Sequence, residues 1–95
     1  MAPTTKKRLL QKVVEYLKKK GCRRVVVFGS FAHGDPTADS DLDLAVTGLS
    51  GRAFFEAVAM LPLIANRRVD LVDIDDVPPS FRETIERTGE LLYGY

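Results

Sequence analysis

The stretch Val25-Val26-Val27-Phe28-Gly29-Ser30, followed by Ser40-Asp41-Leu42-Asp43-Leu44, decides how the rest of the chain is read. Four apolar residues in a row, three of them β-branched, describe a strand buried on both faces. The run breaks into Gly29-Ser30. Glycine permits a tight or positive-φ turn and serine favours a helix N-cap, so the strand is expected to turn into a helix over 30–33. Free backbone N–H groups at the mouth of such a helix form a seat for phosphate. A second strand is expected over 41–46, where alternate side chains share a face. Asp41 and Asp43 then point one way, and Leu42, Leu44 and Val46 the other.

Two carboxylates on one strand face repel one another by roughly 3 kcal/mol at an effective dielectric near 20. A hard divalent cation removes that cost, and Mg²⁺ favours one or two carboxylates together with phosphate oxygens. A phosphate seat beside a metal seat is what metal-assisted phosphoryl or nucleotidyl transfer requires.

Outward from this stretch, Thr4 or Thr5 caps a first helix carrying Leu9, Leu10, Val13, Val14 and Leu17 at helical spacing, ended by Gly21. Lys18, Lys19 and Lys20 suit the negative end of that helix. With Arg23 and Arg24 they form a basic cluster, read either as a solvated helix end or as a docking patch for an acidic partner or an RNA backbone. Residues 34–39 read as a turn-rich loop. Ser50 caps a second long helix with Phe54, Phe55, Val58, Ala59 and Leu61 on a broad apolar face, and Pro62 is expected to stop it. A third strand with clean alternation spans 69–74 and is closed by Asp75-Asp76. Pro78-Pro79 opens a last helix carrying Phe81, Ile85 and Leu91. Helices and strands alternating around a small sheet make an α/β or α+β sandwich, in a single domain over 1–95.

Composition narrows the function classes. With 45% apolar and 28% charged residues the chain is that of an ordinary globular domain. A net charge of +1 gives no case for a dedicated nucleic-acid binder. No apolar run approaches the length of a membrane helix, no secretory signal is evident, and the single cysteine, Cys22, suits a reducing compartment. A cytoplasmic location is the expectation. Cys22 reads as a small semi-buried residue rather than a redox centre.

A third carboxylate is sought on a neighbouring strand, where Asp70, Asp73 and Asp75 compete. Asp70 sits within Val69, Leu71 and Val72, where an unpaired carboxylate is costly to bury. Asp73 and Asp75 lie nearer the strand end, and alternation sets Asp70 and Asp73 on opposite faces. Asp70 is therefore preferred. Ser30 is read as a phosphate ligand rather than a mere cap. Arg67, Arg68 and Arg82 are candidates for phosphate or base contacts, unranked by the sequence.

Gly29-Ser30, Gly34 and Ser40-Asp41-Leu42-Asp43-Leu44 resemble the G-S…G…S-D-x-D-L signature of the polymerase-β-like nucleotidyltransferases. More narrowly, the chain is similar over most of its length to the minimal nucleotidyltransferases often partnered with small helical HEPN proteins. The resemblance implies a mixed sheet with flanking helices. It implies transfer of a nucleoside monophosphate, with AMP from ATP foremost, to an acceptor hydroxyl. Gly29 and Ser30 would hold the triphosphate, and Asp41, Asp43 and Asp70 would hold two Mg²⁺ ions and carry the chemistry. His33 departs from the pattern, since relatives commonly carry arginine there; histidine is mostly neutral at pH 7. Few residues follow Asp70, so the acceptor platform is expected from elsewhere: a HEPN-type toxin that this chain would modify as antitoxin, with self-association left open. The competing expectations are a non-catalytic binding module that neutralises its partner by contact, and a sensor that binds Mg²⁺-nucleotide without transfer.

Overall fold

The chain was described by a computed structural model covering residues 5–32 and 40–94. The apolar run at 25–27 does become the centre of the molecule. β1 (Arg24–Phe28) pairs antiparallel with β2 (Leu42–Thr47), and β2 pairs in parallel with β3 (Val69–Asp73). A parallel pair needs a long crossover, supplied by α2 (Gly51–Ala65). α1 (Thr5–Lys19) precedes β1, and α3 (Pro79–Thr88) leads into β4 (Glu90–Tyr93), which adds antiparallel to the other side of β1. The sheet order is β3-β2-β1-β4, so β1 and β2 are central and β3 is an edge. This is the mixed sheet that the resemblance implies.

The alternation of side chains divides the core between two faces. Val25, Val27, Leu42, Leu44 and Val46 pack with Val13 and Leu17 of α1 and Ala57 and Leu61 of α2. On the opposite face Val26, Ala45 and Ile74 pack with Ile85 of α3, flanked by Phe28 and Val72. Phe28 meets Phe81 of α3 edge to face at 5.8 Å between ring centres. Covered on both faces, Val25, Val26 and Val27 are all buried. Cys22 is buried too; its Sγ–H donates to the Arg24 carbonyl at 3.0 Å, and burial pushes its thiol pKa up, which makes it a structural residue. No helix among the described residues is long and apolar enough to cross a membrane.

The elements depart from the sequence expectations in four places. Gly29–Phe31 forms only a short 3₁₀ turn, so Ser30 lies inside a turn rather than capping a helix. Pro62 does not stop α2, which continues to Ala65 and ends at Asn66, in a left-handed conformation (φ 53°). Proline removes one helical N–H, the partner of the Val58 carbonyl. Val58 is exposed, so water can take that carbonyl, while Leu61 and Ala65 remain buried and keep the helix on the sheet. Leu91 is not helical. Gly89 ends α3, and the following residues complete the edge of β1 instead. A Cβ on Gly89 would stand 2.6 Å from a Val26 methyl, so glycine is required where the chain crosses β1. Finally, β3 shows no clean alternation of burial, because an edge strand is covered on neither face completely.

Candidate functional site

The parallel pairing of β2 with β3 builds the acidic site. Its register sets Asp43 beside Asp70, Leu44 beside Leu71 and Val46 beside Asp73. Paired residues of neighbouring strands are about 4.8 Å apart and project to the same face. Asp43 and Asp70 therefore share the face that Phe28 and α3 occupy, and Asp73 lies on the other. Asp73 Oδ1 accepts the Asp75 N–H at 2.9 Å, and Asp75 lies 3.6 Å from Arg82. Two of the three competing carboxylates are thus engaged elsewhere, and Asp70 is the one that meets Asp43.

Asp41 stands just outside β2 rather than within it, and is exposed. It still acts on the same centre. Partial burial of Asp43, then the neighbouring charges of Asp70 and Asp41, all push the Asp43 carboxyl pKa above its ordinary value. No contribution of opposite sign offsets them. Among the described residues no three metal-ligating side chains close around a single point. The carboxylates feel one another without forming a complete cage, which suits a cation that takes one or two carboxylates and completes its shell with phosphate and water.

The turn after β1 touches the same carboxylate. Gly29 has φ +72°, and a Cβ there would fall 2.3 Å from Asp43 Oδ2. Phe28 pairs with Asp43 across the antiparallel ladder, so the backbone delivers Gly29 and Ser30 to the end of β1 where Asp43 stands. Ser30 is exposed there. The expectations for His33 and Gly34, and the loop over 34–39, lie outside the described residues.

The three arginines left unranked by the sequence take different places. Arg82 lies on α3 beside Asp75 and Glu86. Arg67 stacks on the Phe31 ring with its guanidinium carbon 4.9 Å from the centroid, and its Nη1–H donates to the Ser40 carbonyl at 3.1 Å. It ties the residue after Ser30 to the residue before Asp41, a bracing role the sequence did not signal. Arg68 is exposed and lines a cleft of about 510 Å³ with Asp41, Asn66, Val69 and Asp70. A larger cleft of about 630 Å³ lies between α1 and β4, but Lys6, Lys7, Glu15 and Glu90 are its charged lining and none of Asp41, Asp43 and Asp70 lines it. Size alone does not mark the site.

Residues 11–95 match the family model described as polymerase beta, nucleotidyltransferase. The chain belongs to the polymerase β nucleotidyltransferase family. Among relatives, a candidate protein adenylyltransferase of Methanocaldococcus jannaschii is 26% identical over 78 residues, spanning 79% of this chain and 84% of the relative. A solved structure described as a candidate minimal nucleotidyltransferase is 31% identical, with a TM-score of 0.74, over 90% of this chain and 89% of that one. A toxin–antitoxin structure with AMP-PNP superposes with a TM-score of 0.80 at 25% identity, covering 90% of this chain and 73% of that chain. A complex of a tri-AMPylated Shewanella oneidensis HEPN toxin with its MNT antitoxin shares the fold, with a TM-score of 0.76 at 22% identity over 95% and 73% of the two chains. The fold and the enzyme class of this nucleotidyltransferase are those of its matches.

Proposed function

We propose that this nucleotidyltransferase moves AMP from Mg²⁺-ATP to a hydroxyl group of a HEPN-type protein, and acts as its antitoxin. The observation that carries the reading is the Asp43–Asp70 pairing across two strands, beside Asp41 and against the Gly29 turn. The choice of donor and acceptor is supported by the ATP analogue, the AMPylated HEPN toxin and the protein adenylyltransferase among the similar proteins.

In this reading Gly29 and Ser30 hold the β- and γ-phosphates through backbone N–H groups and the serine hydroxyl. Asp41, Asp43 and Asp70 would hold Mg²⁺, with the ions' remaining ligands supplied by phosphate and water. When bound, Mg²⁺ supplies positive charge that relieves the carboxylate repulsion and stabilises the attacking and leaving oxygens. Asp70 assists the acceptor hydroxyl in losing its proton. The acceptor oxygen then bonds to the α-phosphorus, the bond to the bridging oxygen breaks, and pyrophosphate leaves.

The test is to mix the chain, Mg²⁺, a HEPN-type protein from the same organism and ATP labelled on either the α- or the γ-phosphate. Label from the α-position is expected on the HEPN-type protein and none from the γ-position, with transfer abolished by Asp43→Asn. A tight complex that gains no label from either position would replace the enzymatic reading with neutralisation by contact.

A further inference from the structure

α2 carries large apolar side chains on its outward as well as its inward side, with Arg52 and Glu56 as its charged positions, and only the inward side is covered. Ala53, Ala57, Leu61 and Ala65 form the inward line, all buried. Outward lie Phe55 at 76% exposure and Leu63 at 74%, with Val58 at 45% and Met60 at 41%. Residues 55, 59 and 63 recur at the spacing that makes one continuous stripe, joined through exposed Ala59. These side chains present on the order of 400 Å² of apolar surface, more than scattered exposed residues account for.

The charges beside the stripe choose its occupant. α1 carries Lys6, Lys7, Arg8, Lys12, Lys18 and Lys19 against the single acid Glu15. Arg8, Lys12 and Lys19, with Glu15 as the one acid among them, line a shallow groove of about 430 Å³ together with Tyr16 and Ile64 of α2. Arg52, its side chain 90% exposed, stands at the start of the stripe, and exposed Arg68 follows its end. Glu56, the one acid on α2, is held by Lys20 at 2.9 Å and by Arg52 at 3.7 Å. The net charge of the whole chain is only +1, so this basic frame is local to the α1–α2 layer. A second copy docking by the same face would set cations against cations.

We infer that the outward face of α2, with the basic flank of α1, is the docking surface for the protein acceptor, and that this acceptor presents an apolar ridge bordered by carboxylates. The inference rests on the protein-acceptor reading above and locates its contact. The stripe and the site are continuous: Pro62 of α2 also lines the cleft that holds Asp41 and Asp70. A partner lying along α2 therefore reaches the rim of that cleft.

The test measures binding of a HEPN-type protein from the same organism to the wild type, to the Phe55→Glu/Leu63→Glu double variant and to Lys12→Glu/Lys19→Glu, by titration calorimetry at two salt concentrations. All four substituted positions are exposed, so melting curves and the Mg²⁺-ATP-induced rise in melting temperature are expected to stay at wild-type values. The double variant on α2 is expected to bind at least 100-fold more weakly. The α1 variant should lose about tenfold at low salt and less at high salt. Binding of the α2 variant within threefold of wild type overturns the surface while leaving the acceptor reading intact. Absence of any wild-type complex overturns the acceptor reading and the docking surface with it. A wild-type homodimer lost in the α2 variant, or a structured RNA bound through the α1 cations, overturns the choice of occupant.

Discussion

Gly29 and Asp43 are packed so closely that a Cβ on the glycine would lie 2.3 Å from a carboxylate oxygen of the aspartate. The turn that ends β1 and the first carboxylate of β2 therefore occupy one space. Gly29→Ala would displace Asp43 and also force a side chain into a φ of +72°. The backbone alone costs about 1–2 kcal/mol. We expect a loss of that size in chemical denaturation, and at least tenfold weaker Mg²⁺-ATP binding in titration calorimetry. Unchanged nucleotide affinity would separate Gly29 from the phosphate seat.

Asp43 gives the site a pH signature. Its folded carboxyl keeps a proton to higher pH than the unfolded one, whose ordinary value is 3.8, because of burial and then the charges of Asp70 and Asp41. Between those two values the folded chain binds more protons, so this group's contribution to stability falls as pH rises through the window. Above it the ionised carboxylate is a standing cost. Asp43→Asn should melt at a higher temperature than wild type at pH 7 without divalent metal, with the advantage shrinking as pH falls towards 3.8. Added Mg²⁺-ATP should raise the wild type and leave the variant where it is. An advantage independent of pH would mean that its origin is not the carboxylate charge.

Asp70 and Asp73 differ by one strand face. Asp70→Asn should keep Mg²⁺-ATP binding within a few-fold and lose transfer by a factor of about 10²–10⁴, the range for losing assistance to proton removal. Asp73→Asn retains an oxygen for the Asp75 N–H and should transfer at a nearly normal rate. Label incorporation into the partner protein measures both. The reverse result would place the site on the α1–α2 face of the sheet.

Arg67, which lines the cleft beside Asp41 and Asp70, braces the site. Arg67→Met removes the cation over Phe31 and the donor to the Ser40 carbonyl, together about 1–3 kcal/mol. Arg67→Lys keeps the charge without the planar fork and should recover only part. Denaturant titration checks the stability, and the KM for ATP is expected to rise several-fold in both variants, since Ser30 and Asp41 adjoin the two residues that Arg67 holds.

The α2 helix and β4 mark where local signals lose to packing. Pro62 is a stop signal in any single-sequence reading, but a buried Leu61 and Ala65 held the helix through it. Leu91 continues the apolar spacing of α3, but the open edge of β1 claimed it for a strand, because unpaired backbone groups gain more from a ladder than a short helix gains from another turn. Ser30 has the chemistry of a helix cap and sits in a three-residue turn.

What the sequence determined by itself was the order of residue types along the chain: an apolar strand, Gly29-Ser30, then Asp41 and Asp43, with Asp70 on a later strand. Those are properties of residue type and period, and they need no partner to be legible. Only the tertiary structure decided that β3 lies parallel beside β2 in the register that sets Asp43 against Asp70, that Arg67 serves as a brace, and that half of α2 faces outward. Register and exposure depend on which distant segments fill each face of the sheet, and that is settled by packing between elements rather than within any one of them.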